Sequence, residues 1–410
     1  MSFQQGLSGL AAAAKNLEII GNNVANANTV GFKESSAQFG DVFAASVNGG
    51  SGSNLQVGIG TEVQKVLPVF TQGNITVTQN PLDLAINGAG FYRISDNGTI
   101  SYTRNGQFSL DKSGYIVNPQ GRNLTGYAVD TSGTIDTANL VNLQLSRADL
   151  APSPSTKTTI VLNLDATSAI KTVLPAFSLS NSATFNSTTS LNYFDGLGNP
   201  HTLSTYYRKT AANTWDVYAA NDGVQLGAGS VGTVAFNNDG TLNTGLTTLP
   251  FNVSVAHTNG APTPQAMAID LSGSTQFGSP FSVNTLTTDG YASGKLTGYT
   301  VGADGTVVGR YSNGQTRTQG QVVIATFTNQ EGLSALGQNA YAESPSSGAP
   351  LIGKAGSGNL GVIQSGAVEE SSVDLTSELV KMITAQRVYQ ANAQTIKTQD
   401  AVLQTMVNLR

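Results

Sequence analysis

The sequence predicts a mainly β protein with α-helical termini, and three observations support this fold class. Apolar residues follow heptad spacing near both ends of the 410-residue chain. Between about residues 45 and 370, short alternating runs are separated by turn dipeptides such as Asn97-Gly98 and Asp239-Gly240, which are hairpin signals. The same stretch shows no helical pattern longer than a turn or two. The pattern therefore predicts a nested multidomain architecture, with helical ends enclosing β-rich inner and outer domains.

The first predicted helix carries an apolar or small residue at alternating steps of four and three, which is heptad spacing. These positions are Phe3, Leu7, Leu10, Ala14, Leu17, Gly21 and Val24. Such a stripe fits a helix packed on its own domain, and it also fits a helix paired with another helix. Heptad spacing favours pairing, because a helix on a globular face usually shows a broader stripe. We therefore expect the two terminal helices to pair as a coiled coil and to contact other copies.

The last predicted helix repeats this spacing less purely, because Gln386 and Asp400 occupy heptad core positions. Asp374 and Glu378 are suited to its start, since short acidic side chains accept from free backbone amides there. Its stripe consists of Leu375, Leu379, Met382, Tyr389, Ile396, Leu403 and Val407.

Composition shifts mark the boundaries between the predicted domains. The stretch SVNGGSGSN at 46–54 is typical of a flexible linker, and LAPSPSTKTT at 150–159 and TLTTDGYASG at 285–294 are typical of boundaries. The sequence thus predicts a helical domain from 1–25 with 373–410 and a linker with an extended segment at 26–72. It predicts a discontinuous β domain from 73–146 with 286–372, and an inserted outer β domain at 147–285.

Composition also limits the classes of function. Charged residues make up 11% of the chain, against roughly 25% in a typical soluble domain. The net charge of −5 and the absence of a Lys/Arg run argue against nucleic-acid binding. Weak charge fits an ordinary Ser/Thr-rich β protein, and it equally fits a protein that self-associates. The chain contains no Cys, which excludes disulfides and thiolate sites. We see neither a cleaved signal peptide nor a membrane-spanning stretch.

Residues suited to catalysis or metal binding are sparse. The two histidines, His201 and His257, have no carboxylate at metal-ligand spacing, and His201 is expected to be a turn residue. The adjacent Glu369 and Glu370 would face apart on a strand or helix, so both are expected to be solvated. We therefore expect no enzyme activity, no cofactor and no metal.

An amide-rich stretch, GNNVANANTVGFK at 21–33, follows the first predicted helix. Asn side chains both donate and accept hydrogen bonds, so they can satisfy buried backbone groups without adding charge. We expect Asn22, Asn23 and Asn26 to lie near one face, with Gly31 permitting the turn out of the helix. The alternative is a local helix exit that has no partner elsewhere.

This stretch resembles the motif of bacterial flagellar axial proteins, the family that forms the rod and hook. The similarity extends through GFKESSAQFGDVF at 31–43, DLAINGAGFYRI at 83–94, YTRNGQFSLDKSGYIVN at 102–118 and SGAVEESSVDLTSELVKMITAQRVYQANAQTIKTQD at 365–400. The middle, with YFDGLGNPHTLSTYY, is similar to the variable outer domain of hook proteins. Its roughly 140 inserted residues favour a hook subunit over the shorter distal rod protein.

The resemblance implies a structural subunit that self-assembles into a curved, hollow, flexible tube, a universal joint that transmits motor torque to the filament. It implies contacts with rod, hook-cap and hook–filament junction proteins, location in the extracellular hook and basal body, and type III export without a cleaved signal. Phe39 and Phe43 resemble a short export motif, although both could simply pack the linker. The implied assembly residues are Leu7, Leu10, Leu17, Asn22, Asn23, Val24, Asn26, Gly31, Phe32, Leu379, Met382, Tyr389, Ile396, Leu403 and Val407.

A secreted β-rich adhesin is the alternative from another class of protein. It would place a ligand site within 147–285. The aromatic residues there are Tyr206, Tyr207, Trp215 and Tyr218, and their alternation is more typical of core strands than of a binding site.

Overall fold

The computed structural model describes residues 2–42, 58–130, 133–171 and 175–408. The chain divides into two compact units. The helix-bearing unit comprises residues 1–147, 298–310 and 316–410, and the inserted unit comprises 148–297 and 311–315. The four-part division predicted from composition stays a prediction, and the predicted linker stretch at 46–54 lies entirely outside the described residues.

Two long helices lie at the chain ends, α1 (Ser2–Ala25) and α2 (Leu375–Asn408). They pack on each other, which confirms the predicted pairing of the termini. The Asp374 carboxylate accepts from the backbone N–H of Thr376 at 2.8 Å and so caps α2, as the sequence predicts. Among the described residues between α1 and α2, helical structure is limited to two three-residue 3₁₀ turns, at Ser182–Thr184 and Gln330–Gly332.

Ten strands follow α1 in the described part of the helix-bearing unit before the chain enters the inserted unit. The first two form an antiparallel pair beside α1, with a register shift between Gln38 and Phe39. The bounds are β1 (Ser35–Val42), β2 (Gly60–Pro68), β3 (Ile75–Val77), β4 (Leu84–Asn87), β5 (Phe91–Asp96), β6 (Thr99–Thr103), β7 (Ser109–Leu110), β8 (Ile116–Val117), β9 (Asn123–Val129) and β10 (Ile135–Asn142).

The described residues of the inserted unit form two five-stranded sheets. Its strands are β11 (Lys157–Asp165), β12 (Ser187–Phe194), β13 (Pro200–Ala211), β14 (Thr214–Asn221), β15 (Val224–Gln225), β16 (Gly232–Ala235), β17 (Phe251–Val255), β18 (Gln265–Asp270), β19 (Thr275–Phe277) and β20 (Ser282–Thr288). One sheet has the order β17-β18-β11-β19 with β20 on β11, and the other has the order β12-β13-β14-β15 with β16 on β14. Side chains from both sheets form one core around the fully buried Trp215 and Tyr207, which is the arrangement of a β sandwich.

The chain then returns to the helix-bearing unit and completes its large sheet. The last strands are β21 (Leu296–Val301), β22 (Thr306–Tyr311), β23 (Thr316–Thr326), β24 (Ser334–Gly337), β25 (Ala340–Ala342), β26 (Leu351–Lys354), β27 (Val362–Ser365) and β28 (Ala367–Glu369). The sheet runs in the order β21-β22-β23-β9-β5-β6-β25-β24. Neighbours Phe91 and Tyr92 belong to different apolar clusters. Because successive strand residues point to opposite faces, both faces of this sheet are covered.

Candidate assembly surface

The turn that leaves α1 depends on Gly31. Its φ of +70° lies in the left-handed region, and its backbone N–H donates to the Glu369 carbonyl at 2.8 Å. A Cβ built on Gly31 would come within 2.6 Å of the Asn105 backbone nitrogen. A glycine is therefore required both by the backbone conformation and by the close approach of another segment.

The amides near the end of α1 divide into two groups. Asn23 is buried, and its side chain exchanges two hydrogen bonds of 2.9 Å with the backbone of Ser35 and donates to the Glu378 carboxylate at 3.1 Å. Asn26 instead donates to the Asn22 carbonyl at 2.9 Å near the surface. Asn23 thus satisfies backbone groups and ties α1 to β1 and α2, so the alternative of a local exit without a partner is wrong for Asn23. The placement of all three amides near one face stays a prediction.

A cluster of buried charges lies next to this turn. Lys33 Nζ lies 2.5 Å from Glu369 Oε1 and donates to the Thr71 carbonyl at 2.6 Å. Burial lowers the pKa of Lys33, and the neighbouring Glu369 carboxylate opposes this shift. Arg104 Nε lies 3.2 Å from Glu369 Oε2 without an aligned hydrogen bond, so this contact is an ion pair only. The expectation that Glu369 is solvated was wrong, because its side chain is 1% exposed.

The cluster joins segments that are far apart in the sequence. Arg104 also donates from its terminal nitrogens to the carbonyls of Gly88 and Gly90, at 2.8–3.0 Å. The Glu369 carboxylate also accepts from the Gly73 backbone N–H at 2.9 Å. Each buried charge therefore meets either an opposite charge or a backbone dipole, which offsets its desolvation. Spacing alone gave no signal for this cluster.

Small residues form the contact between α1 and α2. A Cβ on Gly6 would lie 3.1 Å from Ile396, and one on Gly9 would lie 2.9 Å from the Asn392 side chain. Ala13 and Ala385 are buried along the same contact. The pairing of Asn23 with Glu378 and of Gly6 with Ile396 makes the two helices antiparallel. Small side chains permit this close approach, and the predicted heptad stripe of α1 is not the surface that packs on α2.

Many larger apolar residues of both helices face outward instead, although Ile19 and Ile20 of α1 are buried. Phe3 and Leu7 on α1 are 44% and 53% exposed, and Val407 on α2 reaches 74%. The other exposed apolar residues of α2 are Leu375, Leu379, Val380, Ile383, Val388, Tyr389, Val402, Leu403 and Met406. Scattered single residues of this kind are ordinary on a protein surface, whereas a run along two adjacent helices marks an interaction surface.

The predicted assembly residues occupy three environments. Asn23 and Gly31 are buried, and half-buried positions are held by Leu10, Leu17, Val24, Asn26, Phe32, Met382 and Ile396. Exposed positions are held by Leu7, Asn22, Leu379, Tyr389, Leu403 and Val407. Their role in contacts between copies stays a prediction. Phe39 of the proposed export motif is 42% exposed on β1, and Phe43 lies outside the described residues.

The inserted unit carries a polar cluster that sequence reasoning missed. His201 lies in β13, and its Nδ1 is 2.7 Å from Asp222 Oδ2 while its Nε2 is 3.3 Å from Asp195 Oδ2. Partial burial favours a lower pKa for His201, but its hydrogen bonds with Asp222 and Asp195 raise that pKa above its ordinary value. The expectation of a turn residue was therefore wrong. The carboxylates lie 6 and 21 positions away, which is too irregular for a spacing rule.

Two further kinds of site are absent from the described part of the chain. No group of three or more His, Asp or Glu side chains is placed there to hold a metal ion. No helix in the same part of the chain is long and apolar enough to cross a membrane.

Comparison with known proteins gives matches along most of the chain. Four family models match: Flagella basal body rod protein at 3–33, Flagellar hook protein FlgE/F/G D1 domain at 85–166, Flagellar basal body protein FlaE D2 domain at 163–291, and Flagellar basal body rod FlgEFG protein C-terminal at 364–409. The flagellar hook protein FlgE of Escherichia coli K12 is 43% identical over the full length of both chains.

More distant proteins show the same similarity. The flagellar hook protein FlgE of Salmonella typhimurium is 41% identical over the full length of both chains, and that of Rhizobium meliloti is 33% identical over all of this chain and 98% of its own. The crystal structure of Helicobacter pylori flagellar hook protein FlgE2 superposes with a TM-score of 0.54 at 15% identity. It covers 72% of this chain and 99% of that chain, which supports the fold alone.

Proposed function

The chain belongs to the flagellar hook protein FlgE family, and from this premise we propose that its copies assemble into the hollow, curved tube of the bacterial flagellar hook. In this proposal the paired helices form the inner layer of the tube, and the β-rich units form its outer layers. The tube passes torque from the rod to the filament while it bends. The chain acts as structural material, with no reaction assigned to it.

The observation that carries the proposal is the row of exposed apolar side chains on α1 and α2. A free subunit leaves Leu7, Leu379 and Val407 about half exposed or more, and such residues follow one another along α1 and α2. Burial of this surface would stabilise an assembly by about 25 cal/mol for each Å² of apolar area removed from water. Contacts that do not close on themselves repeat into a helical polymer.

We infer the assembly partners of the chain and its export route from the same family membership. We propose that the tube contacts the rod at one end and the hook-cap and junction proteins at the other. Delivery would use the flagellar type III export apparatus, without a cleaved signal, and Phe39 with Phe43 would be read during export. The double variant Phe39→Ala with Phe43→Ala should then be secreted less than the natural chain. The circular dichroism of the purified variant should be unchanged, which shows that it still folds.

The distal rod protein is the nearest alternative. The D2 domain match at 163–291 falls in the inserted region that a rod subunit would lack, and the hook relatives match over their full lengths. These two observations favour the hook.

The test is assembly of the purified full-length chain. We expect electron microscopy to show hollow tubes above a critical concentration, with monomer below it. A chain that stays monomeric at every concentration and under salting-out conditions would contradict the proposal. Leu379→Ser should raise the critical concentration, and Gln386→Ser on the same helix serves as the polar control.

A further inference from the structure

A groove of about 500 Å³ opens between α1, α2 and the β1–β2 pair. Its volume lies within the usual range for protein pockets that take an apolar ligand, about 300–1,000 Å³. Among the described residues that line the groove, Lys381 alone is charged, and its ammonium donates to Glu378 Oε1 at 2.6 Å. The lining is otherwise small, apolar or neutral: Gly9, Ala12, Ala13, Asn16, Phe39, Thr61, Val380, Thr384, Ala385, Val388 and Asn392.

The end of α2 extends past the start of α1. Gly9 lies beside Asn392 and Gly6 beside Ile396, so the antiparallel register places Ser2 near residue 400. The helix continues to Asn408. Residues 401–408 contain no charged side chain, and Val402, Leu403, Met406 and Val407 are 52–74% exposed. This segment, the α2 end, therefore has the apolar and neutral character of the groove lining.

The α2 end cannot fill the groove of its own chain. Thr384 at the groove and Met406 at the α2 end belong to one continuous helix. At 1.5 Å per residue, these positions are about 33 Å apart along the axis. Since the helix holds the two surfaces at this separation, an occupant with the chemistry of the α2 end must come from another molecule.

We propose that the groove receives the α2 end of a second copy of this chain. The inference rests on the proposed function and specifies its contact. The groove is continuous with the α1–α2 contact, and Leu403 and Val407 continue the heptad positions of Met382, Tyr389 and Ile396 on α2. Groove and α2 end are different surfaces, so the contact is head-to-tail. Each docked copy then presents a free groove or a free α2 end to the next, which produces an open string of subunits.

The absence of cysteine from the natural chain permits a direct test. We would make the full-length double variant Thr384→Cys with Met406→Cys, assemble it, and oxidise it. Docking predicts a ladder of disulfide-linked multimers on a denaturing gel, because each copy would be linked through its groove to one neighbour and through its α2 end to another. An intrachain disulfide is excluded, since bridged Cα atoms lie within about 7 Å.

Controls separate this contact from assembly as such. The double variant Gln390→Cys with Met406→Cys has its first cysteine outside the groove lining and should give no ladder. The docking would be overturned if assembled tubes of the double variant Thr384→Cys with Met406→Cys gave only monomer after oxidation. A disulfide-linked dimer from the single variant Met406→Cys would also overturn it. If the natural chain forms no tubes, the proposed function fails, whatever the crosslinks show.

A second variant gives an independent measure. Thr384→Trp fills the groove from an exposed helix position, so it should raise the critical concentration at least tenfold without changing monomer helicity. Gln390→Trp adds the same side chain to α2 outside the groove, and its critical concentration should stay within twofold of the natural chain. Equal effects of the two tryptophans, or no effect of either, would contradict the proposed docking.

Discussion

The inserted unit and the helical pair place their apolar side chains in opposite ways. In the inserted unit, Trp215, Tyr193 and Tyr207 are fully buried between two sheets. In the helical pair, glycine, alanine and asparagine occupy much of the contact, and many large apolar residues face outward, with Ile19 and Ile20 of α1 as buried exceptions. The first region completes its core within one chain, whereas the second leaves apolar surface that other copies can cover. We therefore expect stability of the subunit and assembly of the tube to depend on different residues.

The largest expected effect is loss of the core of the inserted unit. Trp215→Ala should lower the free energy of unfolding of this unit by about 3–5 kcal/mol, because it leaves a cavity and removes the hydrogen bond from Nε1 to Gln276. The change is measured by denaturing the full chain while monitoring circular dichroism, a signal that does not require the tryptophan. A loss below about 1 kcal/mol would show that the core is not closed as described.

The next test concerns the buried charges below the helical pair. Glu369→Gln should cost about 3 kcal/mol, because Lys33 and Arg104 would stay buried without their counter-ion. The adjacent Glu370→Gln is the matched control, since Glu370 is exposed, and should cost below about 1 kcal/mol. Equal losses in urea denaturation would refute the assignment of the buried cluster.

A smaller effect tests the contact between α1 and α2. Gly9→Leu should destabilise the helical pair by about 1–3 kcal/mol, because the new side chain meets Asn392. Gly21→Leu is the control, since no atom lies within 4 Å of its added Cβ, and it should be neutral or stabilising. The stability changes of both variants are measured by following helix content by circular dichroism during thermal unfolding. If Gly21→Leu destabilised the helical pair more than Gly9→Leu, the contact between α1 and α2 would instead lie on the predicted heptad stripe, which includes Gly21.

An exposed apolar residue should affect assembly far more than folding. Leu379→Ser should change the free energy of unfolding of the monomer by at most about 0.5 kcal/mol, because its side chain is already 48% exposed. The critical concentration for tube formation should nevertheless rise. A variant that unfolds easily and assembles normally would break the proposed separation between folding and assembly.

The smallest effect is a pH dependence in the inserted unit. The pKa of His201 is raised in the folded state, so its stabilising contribution is complete below its ordinary value of 6.5 and is lost as pH rises through the raised value. Hydrogen exchange of peptides spanning 193–222 should therefore show less protection at pH 8.5 than at pH 6. His201→Asn should remove this difference. Equal protection of the natural chain at both pH values would contradict the assigned cause.

Periodicity and turn residues were sufficient to predict the fold class. Heptad spacing located both helices, Asp374 marked the start of α2, and turn dipeptides indicated the β-rich middle. The contact between the helices was not predictable in the same way. A search for large apolar residues passes over Gly6, Gly9 and Ala13, because their value lies in close approach and not in their own buried area.

The charged sites show a second limit of sequence reasoning. Lys33 and Glu369 are 336 positions apart, and no local pattern connects them. Adjacent acidic residues usually face solvent, so the Glu369-Glu370 pair gave the wrong expectation for Glu369. His201 was misassigned for a similar reason, because Asp222 reaches it only through the pairing of β13 with β14.

The order of synthesis determines when the buried cluster of Lys33, Arg104 and Glu369 can form. A ribosome makes Lys33 and Arg104 long before Glu369, which is among the last 42 residues of the chain. Until then, two cations that the native structure buries together repel each other and have no counter-ion. The nascent segment therefore gains little by closing early, and such distant contacts fold slowly. The native cluster can therefore close only after the 336 positions from Lys33 to Glu369 have been made.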